Sequence, residues 1–342
     1  MISRSLSSPA KGIMERGFPA KNRSPKSGVL AKALIWVATA VAMPLFGVGV
    51  GIIRTAASGE VSHGVAAPSG KILVWVDREG KEDPISAPAN EYRHPRISPD
   101  GTRVAMTHNS NNGREIWIWD LARKTMAYFV TDAWSPLWTP DGKQIVFASS
   151  RNGKFVVLRK AVDGSGEAEL LFSVADRLVT PWCWSKDGRS LILYEAPLNI
   201  EAPTNIGIVS FEGNHSHRLL ISDKHFNSQP GISPDGGWIA YTSDESGKNE
   251  VYVSPYPQVL KSKRQVSTNG GDAPIWSPNG RELFFRSGRA VVAVHVTTGP
   301  TFGFEKQRVL FRGNYLAIEG HNYQTLEISP DGKRFLMLKI VR

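Results

Sequence analysis

The sequence has very little cysteine: Cys183 is the one cysteine among 342 residues. A single thiol excludes a disulfide framework within the chain. Cys183 lies in the segment Trp182-Cys183-Trp184, where the pattern predicts a buried strand. We interpret Cys183 as a core residue rather than a reactive thiol, because buried cysteine behaves as a small apolar side chain.

The sequence also lacks the short motifs that identify several enzyme classes. It contains no Gly-x-Ser-x-Gly nucleophile elbow, no His-Glu-x-x-His or Cys-x-x-Cys motif and no EF-hand loop. These motifs place a nucleophile or a metal ion, so their absence favours a protein that binds over one that catalyses. We therefore expect no enzymatic activity, no cofactor and no bound metal.

Positive charge is concentrated at the N-terminus. Residues 1–54 hold eight Lys and Arg against one Glu, which accounts for most of the net charge of +10. Affinity for nucleic acid depends on clustered Lys and Arg that release counterions from phosphates. Because the remaining chain is nearly balanced, we expect no nucleic-acid partner.

One long apolar run is present, and it predicts a membrane anchor. Residues 33–53 are 21 uncharged residues, and about 20 such residues span a bilayer as a helix. The basic flank of residues 1–32 places the N-terminus in the cytoplasm and everything after Ile53 outside. We expect residues 1–32 to be a disordered tail and residues 54–69 to be a linker. The alternative is a cleaved signal peptide, since Thr55-Ala56-Ala57 resembles a cleavage site.

The rest of the chain repeats one five-residue motif six times, with 41 to 52 residues between successive copies. This spacing is typical of four-stranded propeller blades. The copies are Ile97-Ser98-Pro99-Asp100-Gly101, Trp138-Thr139-Pro140-Asp141-Gly142, Trp184-Ser185-Lys186-Asp187-Gly188, Ile232-Ser233-Pro234-Asp235-Gly236, Trp276-Ser277-Pro278-Asn279-Gly280 and Ile328-Ser329-Pro330-Asp331-Gly332.

Each copy predicts a tight turn between two strands. Pro presets φ for the second turn position, Asp tolerates the third, and Gly supplies a left-handed conformation. Alternating apolar segments follow the turns, as in Arg103-Val104-Ala105-Met106 and Trp238-Ile239-Ala240-Tyr241. We interpret the repeated Trp138, Trp184 and Trp276 as packing between blades.

The last repeat has room for only two strands before the chain stops at Arg342. Residues 71–76 and 83–86 precede the first motif and resemble the missing third and fourth strands. We therefore predict that residues 70–342 form an all-β, six-bladed β-propeller, and that its ring closes by pairing the two ends of the chain.

These motifs resemble the propeller repeat of the TolB type, in which a Ser-Pro-Asp-Gly turn recurs once per blade. The region from Ser243 to Met337 is similar to the propeller half of membrane-anchored bacterial serine/threonine protein kinases. The resemblance implies a bacterial cell-envelope protein that binds other proteins. The 32 residues before the apolar run carry no glycine-rich nucleotide loop, His-Arg-Asp or Asp-Phe-Gly motif, so we expect no kinase activity.

The residues that precede the innermost strand of each blade are expected to be loops around one mouth of the channel. Exposed loops on a rigid scaffold commonly carry recognition. The candidates for a ligand- or partner-binding face are Tyr92, Arg93, His94, Trp134, Asp176, Arg177, His225, Asn227, Asp272, His321 and Tyr323.

The function expected from these observations is a sensor or scaffold in the inner membrane, with the propeller outside the cytoplasm. Its partner would be an envelope protein, or a peptide or glycan ligand at the channel mouth. The alternative is a propeller enzyme, such as a polysaccharide lyase or hydrolase, since histidines in several of these loops could serve as ligands or bases. A third interpretation is the remnant of a kinase whose catalytic half is encoded separately.

Overall fold

The computed structural model describes residues 70–110, 113–199, 201–212, 216–259, 262–316 and 324–341. These residues form six sheets, each the blade of a propeller. The predicted tail at 1–32, the predicted span at 33–53 and the predicted linker at 54–69 lie outside the described residues. No helix in the described ranges is long and apolar enough to cross a membrane.

Blades 1 to 4 each contain four antiparallel strands, in chain order from the centre of the ring outwards. Blade 1 holds β3 (Tyr92–Ile97), β4 (Arg103–Ser110), β5 (Gly113–Asp120) and β6 (Thr125–Thr131), and blade 2 holds β7 (Ala133–Trp138), β8 (Gln144–Arg151), β9 (Lys154–Ala161) and β10 (Glu169–Ser173). Blade 3 holds β11 (Arg177–Trp184), β12 (Ser190–Pro197), β13 (Asn205–Ser210) and β14 (His217–Ile221), and blade 4 holds β15 (Asn227–Ile232), β16 (Trp238–Ser243), β17 (Glu250–Pro255) and β18 (Arg264–Gln265).

Blade 5 has a divided outer edge, because two short strands pair with different parts of its third strand. It holds β19 (Asp272–Trp276), β20 (Glu282–Ser287), β21 (Ala290–Thr298), β22 (Phe302–Phe304) and β23 (Arg308–Arg312). Blade 6 joins the ends of the chain in the order β24 (Leu326–Ile328), β25 (Arg334–Val341), β1 (Gly70–Asp77) and β2 (Glu82–Pro84).

The predicted end-to-end closure is confirmed. Strand β1 pairs with β25 in continuous antiparallel register, from Gly70 opposite Val341 to Asp77 opposite Arg334. Glu82 adds polar contacts to this blade, because it accepts hydrogen bonds from Lys339 Nζ at 2.6 Å and from the Tyr315 hydroxyl at 3.0 Å.

The hydrophobic core consists of six clusters, one between each pair of neighbouring blades. The second strand of blade 1 shows how the sequence builds them. Val104 and Met106 pack against blade 6, whereas Ala105, on the opposite face of the same strand, packs against blade 2. Side chains alternate across a strand, so both faces of an inner blade strand are apolar and the ring closes on itself.

The six repeated turns also connect the blades to each other. In blade 1, the Gly101 N–H donates to the Ser98 carbonyl at 2.8 Å, and Gly101 has φ of +72°. A Cβ added to Gly101 would lie 3.3 Å from the ring of Pro330 in the preceding blade. The other five turn glycines contact the second turn residue of the preceding blade in the same way, and Lys186 replaces proline in one of these contacts.

The repeated tryptophans pack between blades, as predicted, and they also form hydrogen bonds there. The indole N–H of Trp138 donates to the Arg96 carbonyl at 3.0 Å, and that of Trp184 donates to the Trp138 carbonyl at 2.9 Å. Trp276 likewise donates to the carbonyl of Gly231 in the preceding blade at 2.9 Å. A buried indole N–H needs such an acceptor, and these bonds tie the inner strands together.

Candidate functional site

The inner strands place most of the predicted site residues at one end of the central channel. Each inner strand begins at this end, which we call the loop face, and ends at the repeated turns, which we call the turn face. Residues at the loop face are Tyr92, Arg93 and His94 in β3, Trp134 in β7, Asp176 and Arg177 at the start of β11, His225 and Asn227 at the start of β15, and Asp272 in β19. His321 and Tyr323 lie outside the described residues.

The expectation that these residues form loops is wrong for seven of them, which lie inside inner strands. The inner strands contain prolines, such as Pro95 and Pro136, and therefore begin earlier in the chain than expected. Proline removes a ladder donor and is tolerated at an edge. The innermost strand of a blade is an edge, so its prolines do not end it.

Four of the predicted residues are buried. Tyr92 is 3% exposed, His94 6%, Trp134 6% and Asn227 1%. The Trp134 ring packs edge-on against Phe155, with 6.0 Å between ring centroids. These four side chains support the scaffold, and their interpretation as exposed recognition residues is corrected.

Five predicted residues reach the surface of the loop face at least in part. Asp176 is exposed, whereas Arg93, Arg177, His225 and Asp272 are half-buried. His225 lies 3.6 Å from Asp244, measured from Nδ1 to Oδ1. Within the described part of the chain, Arg177 Nη1 and Asp272 Oδ1 have no hydrogen-bond partner. Charged atoms without partners are the ones that gain most when a ligand supplies a partner.

The inner strands of four blades share a bulge that fixes the backbone beside these residues. His94, Ser135, Gln229 and Ala273 have φ between 49° and 55°, and each precedes a proline. Neighbouring blades hold this strained conformation: the Ser135 N–H donates to Thr107 Oγ1 at 3.0 Å, and the Ala273 N–H donates to Gln229 Oε1 at 2.9 Å. Such strain persists only where the surroundings determine it, so the loop face is preorganised.

Blade 5 contributes a charged pair to this region. Asp272 lies opposite Arg286 in the register of β19 and β20. Burial raises the pKa of Asp272 to about 6, and the charge of Arg286 opposes this rise. The Arg286 guanidinium is 3% exposed and donates to the Leu316 carbonyl and, at 3.4 Å, to Thr325 Oγ1 in the approach to blade 6.

A second charged pair, which sequence reasoning missed, crosses the channel near the turn face. Arg96 in blade 1 donates from Nη1 to Glu327 Oε1 in blade 6 at 2.7 Å, and from Nη2 to the Trp182 carbonyl in blade 3 at 2.9 Å. Blades 3 and 6 lie opposite each other in a six-bladed ring, so the Arg96 guanidinium occupies the channel axis. Burial raises the pKa of Glu327, and Arg96 opposes this rise.

The pair also lines a cavity of about 260 Å³, which we call the turn-side chamber and which extends from Pro230 and Pro274 to the turn residues Pro234 and Pro278. Its walls are three tryptophans, four prolines, Gln324 and small or apolar residues, with charge supplied by the Arg96–Glu327 pair. Cys183 lines the chamber wall, and burial raises the pKa of its thiol to about 12. A thiol with such a pKa is almost entirely protonated at neutral pH, as its interpretation as a packing residue predicts.

Metal binding receives no support from the described residues, among which no group of three or more His, Cys, Asp or Glu could hold a metal ion. His108 and His217 instead form polar contacts within blades. His217 Nε2 lies 2.7 Å from Glu195 Oε1, and Gly207 leaves the space through which the Glu195 side chain passes.

The raised pKa of Asp272 predicts a measurable pH dependence of stability. The pKa of the folded state, about 6, exceeds the ordinary value of 3.8, so the contribution of Asp272 to stability falls as the pH rises from about 4 to about 6. Asp272→Asn removes this fall. Relative to wild type, the variant should therefore become more stable on going from acidic to neutral pH, by roughly 1–3 kcal/mol.

Urea denaturation of both chains across this pH range measures the difference. The slope of the stability difference against pH is the decisive quantity, because at acidic pH Asp272 is uncharged and the variant removes no charge beside Arg286. Asp132→Asn, at an exposed residue, is the control, and parallel curves for Asp272→Asn and wild type would contradict the prediction.

A family model described as "TolB beta propeller domain" matches residues 69–254, more than half of the chain. Among curated proteins, a Bacillus subtilis protein described as uncharacterized peptidase YuxL is 25% identical over 208 residues, which are 46% of this chain and 31% of that protein. The Tol-Pal system protein TolB of Bordetella pertussis is 27% identical over 139 residues, 41% of this chain and 28% of that one. The chain thus spans less than a third of the length of either relative.

Solved structures share the fold at low sequence identity. A structure from Agrobacterium tumefaciens that carries the name TolB superposes with a TM-score of 0.63 at 17% identity, covering 80% of this chain and 99% of that one. Hydrazine synthase of Kuenenia stuttgartiensis superposes with a TM-score of 0.52 at 14% identity, covering 77% and 87% of the two chains.

Proposed function

Because the chain belongs to the family of TolB β-propeller domains, we propose that it is a binding module whose loop face holds a protein partner in the cell envelope. The observation that carries this proposal is the set of half-buried charged side chains at the loop face. Arg177 and Asp272 are half-buried on inner strands of a closed ring, and each also has a buried side-chain atom, Nη1 or Oδ1, without a hydrogen-bond partner among the described residues.

The chemistry of this face suits recognition of a polar protein segment. Arg177 can donate to a carboxylate or to backbone carbonyls, and Asp272 can accept from an amide or a cation. Arginine is enriched among the residues that dominate binding energy at interfaces. A partner that supplies these hydrogen bonds would offset the free energy lost where side-chain atoms of Arg177 and Asp272 have no hydrogen-bond partner.

The proposal includes the compartment. The apolar run at 33–53 and its basic flank support a single membrane helix with the propeller outside the cytoplasm. The chain should then remain in the membrane fraction at full length. Recovery of a shorter soluble chain that lacks the N-terminal tail would favour a cleaved signal peptide instead.

Site-specific photo-crosslinking in intact cells tests the binding face. A crosslinker at Asp176 of the loop face should capture a discrete partner, and one at Glu167, an exposed residue of the turn face, should not. Adding Arg177→Ala to the chain that carries the Asp176 probe should weaken capture by about tenfold or more. Equal capture from both faces, or capture that Arg177→Ala does not weaken, would contradict the proposal.

The similarity to YuxL, which is described as an uncharacterized peptidase, supports a second candidate, a propeller that takes part in an enzymatic hydrolysis. This candidate predicts turnover by the purified full chain that is lost in His225→Ala, together with bound metal that the same variant loses. A chain that captures a partner and shows no turnover with peptide or glycan substrates excludes this candidate for those substrates.

A further inference from the structure

The turn-side chamber has features of a ligand site that are separate from the loop face. Its lining contains none of the described loop-face candidates, and it reaches the turn residues Pro234 and Pro278. An apolar cavity of about 150 Å³ holds a benzene molecule. At about 260 Å³, the chamber has room for a ring together with a polar group.

The end of the chamber offers hydrogen bonds that the protein does not use. Arginine carries five N–H donors, and the described contacts of Arg96 use one for Glu327 and one for the Trp182 carbonyl. The side chains of Arg96 and Glu327 are each 13% exposed, so ligand atoms can reach the pair. Free guanidinium donors prefer a planar oxyanion such as a carboxylate.

The charge of the pair restricts the ligand further. Arg96 and Glu327 together are neutral, so a simple carboxylate would leave one uncompensated negative charge in a half-buried site. A ligand that carries both a carboxylate and an ammonium group keeps the site neutral. Its carboxylate can accept from Arg96, and its ammonium can donate to Glu327.

The chamber walls define the rest of the ligand. Trp182, Trp184 and Trp276 provide aromatic surface, and prolines and Ile275 complete an apolar lining. We propose that the turn-side chamber binds a small zwitterion with an apolar side chain, that is, a free apolar α-amino acid. The Arg96–Glu327 pair recognises its α-carboxylate and α-ammonium groups, and the tryptophans and prolines hold its side chain.

Calorimetric titration of the purified full chain with L-phenylalanine and L-leucine tests this inference. Both amino acids should bind. Two analogues of phenylalanine serve as matched probes, since 3-phenylpropionate lacks the ammonium group and phenethylamine lacks the carboxylate. Each analogue should bind at least tenfold more weakly, because each leaves one charge of the pair without its counterpart.

Gly231→Val provides a variant that adds apolar bulk to the lining of the chamber and keeps both charged residues of the pair. A Cβ at Gly231 would lie 3.5 Å from Trp276 Cδ1, an ordinary contact, and circular dichroism checks that the variant folds. It should weaken phenylalanine binding at least tenfold, and so should Arg96→Gln. Arg177→Ala, at the loop face, should leave phenylalanine binding unchanged.

The outcomes separate this inference from the proposed function. Absence of phenylalanine binding at about 10 mM, equal binding of an analogue, or binding unaffected by Gly231→Val overturns the amino-acid site. Partner capture at Asp176 should persist in Gly231→Val, because the lining of the chamber includes neither Asp176 nor Arg177. Loss of capture in Arg177→Ala with phenylalanine binding intact shows that the two sites are independent.

Discussion

Removal of the last strand, β25, is expected to abolish cooperative folding of the whole propeller. β25 is the second strand of blade 6, and residues Phe335, Leu336, Met337 and Leu338 are at most 1% exposed. Each large apolar side chain contributes about 2 kcal/mol on burial, and a domain has only about 5–15 kcal/mol of net stability. The four side chains together contribute about 8 kcal/mol, which is comparable with the whole net stability.

The geometry of closure makes this loss global. Without β25, β24 has no partner and β1 keeps only the short strand β2, so blade 6 cannot cover the faces of blades 1 and 5. A chain that ends at Gly332 should show no cooperative transition on heating and should aggregate through its open edges. Circular dichroism and gel filtration measure both effects.

A shorter truncation provides the control. A chain that ends at Ile340 keeps seven of the eight β1–β25 pairs and all of the buried residues of β25, so it should melt within a few degrees of wild type. A cooperative transition in the chain that ends at Gly332 would show that blades 1 to 5 fold without closure. The predicted dependence of folding on the pairing of β1 with β25 would then be wrong.

The sequence was sufficient to predict the blades because each turn has a strict local requirement. A glycine such as Gly101, with φ of +72°, follows Asp in all but one copy of the turn. The turn recurs once in each blade, so the spacing of the motif gives the number of blades. The missing half-blade at each end then predicted the closure. The contact between Gly101 and Pro330 and the divided edge of blade 5 depend on packing between distant segments, which local pattern does not encode.

The candidate site was predictable in position but not in exposure. The described candidates that precede the motifs lie at one end of the channel, because the inner strands run in the same direction. Tyr92 and Trp134 turned out to be buried, since the inner strands begin earlier than their prolines suggest. Arg96 and Glu327 are 231 residues apart, and nothing in their local sequence indicates that they meet.

The second large effect on stability is expected from variants of the Arg96–Glu327 ion pair. Glu327→Ala should destabilise the propeller by about 3–5 kcal/mol, because it leaves the Arg96 guanidinium on the channel axis without a counter-ion. Arg96→Leu should have a similar effect at neutral pH, since Glu327 would be left as a buried carboxylate. The double variant Arg96→Leu/Glu327→Leu should recover most of the loss, because apolar side chains of similar size replace a buried ion pair at little cost.

Urea denaturation of the four chains gives the coupling energy between the two positions. The single variant Arg96→Leu adds a pH test: burial raises the pKa of Glu327, and removing the guanidinium raises it further. A group whose pKa is raised in the folded state stabilises folding at low pH, so Arg96→Leu should regain stability as the pH falls, whereas the double variant should not. Additive losses of stability, with no difference in pH dependence, would contradict the predicted coupling between Arg96 and Glu327.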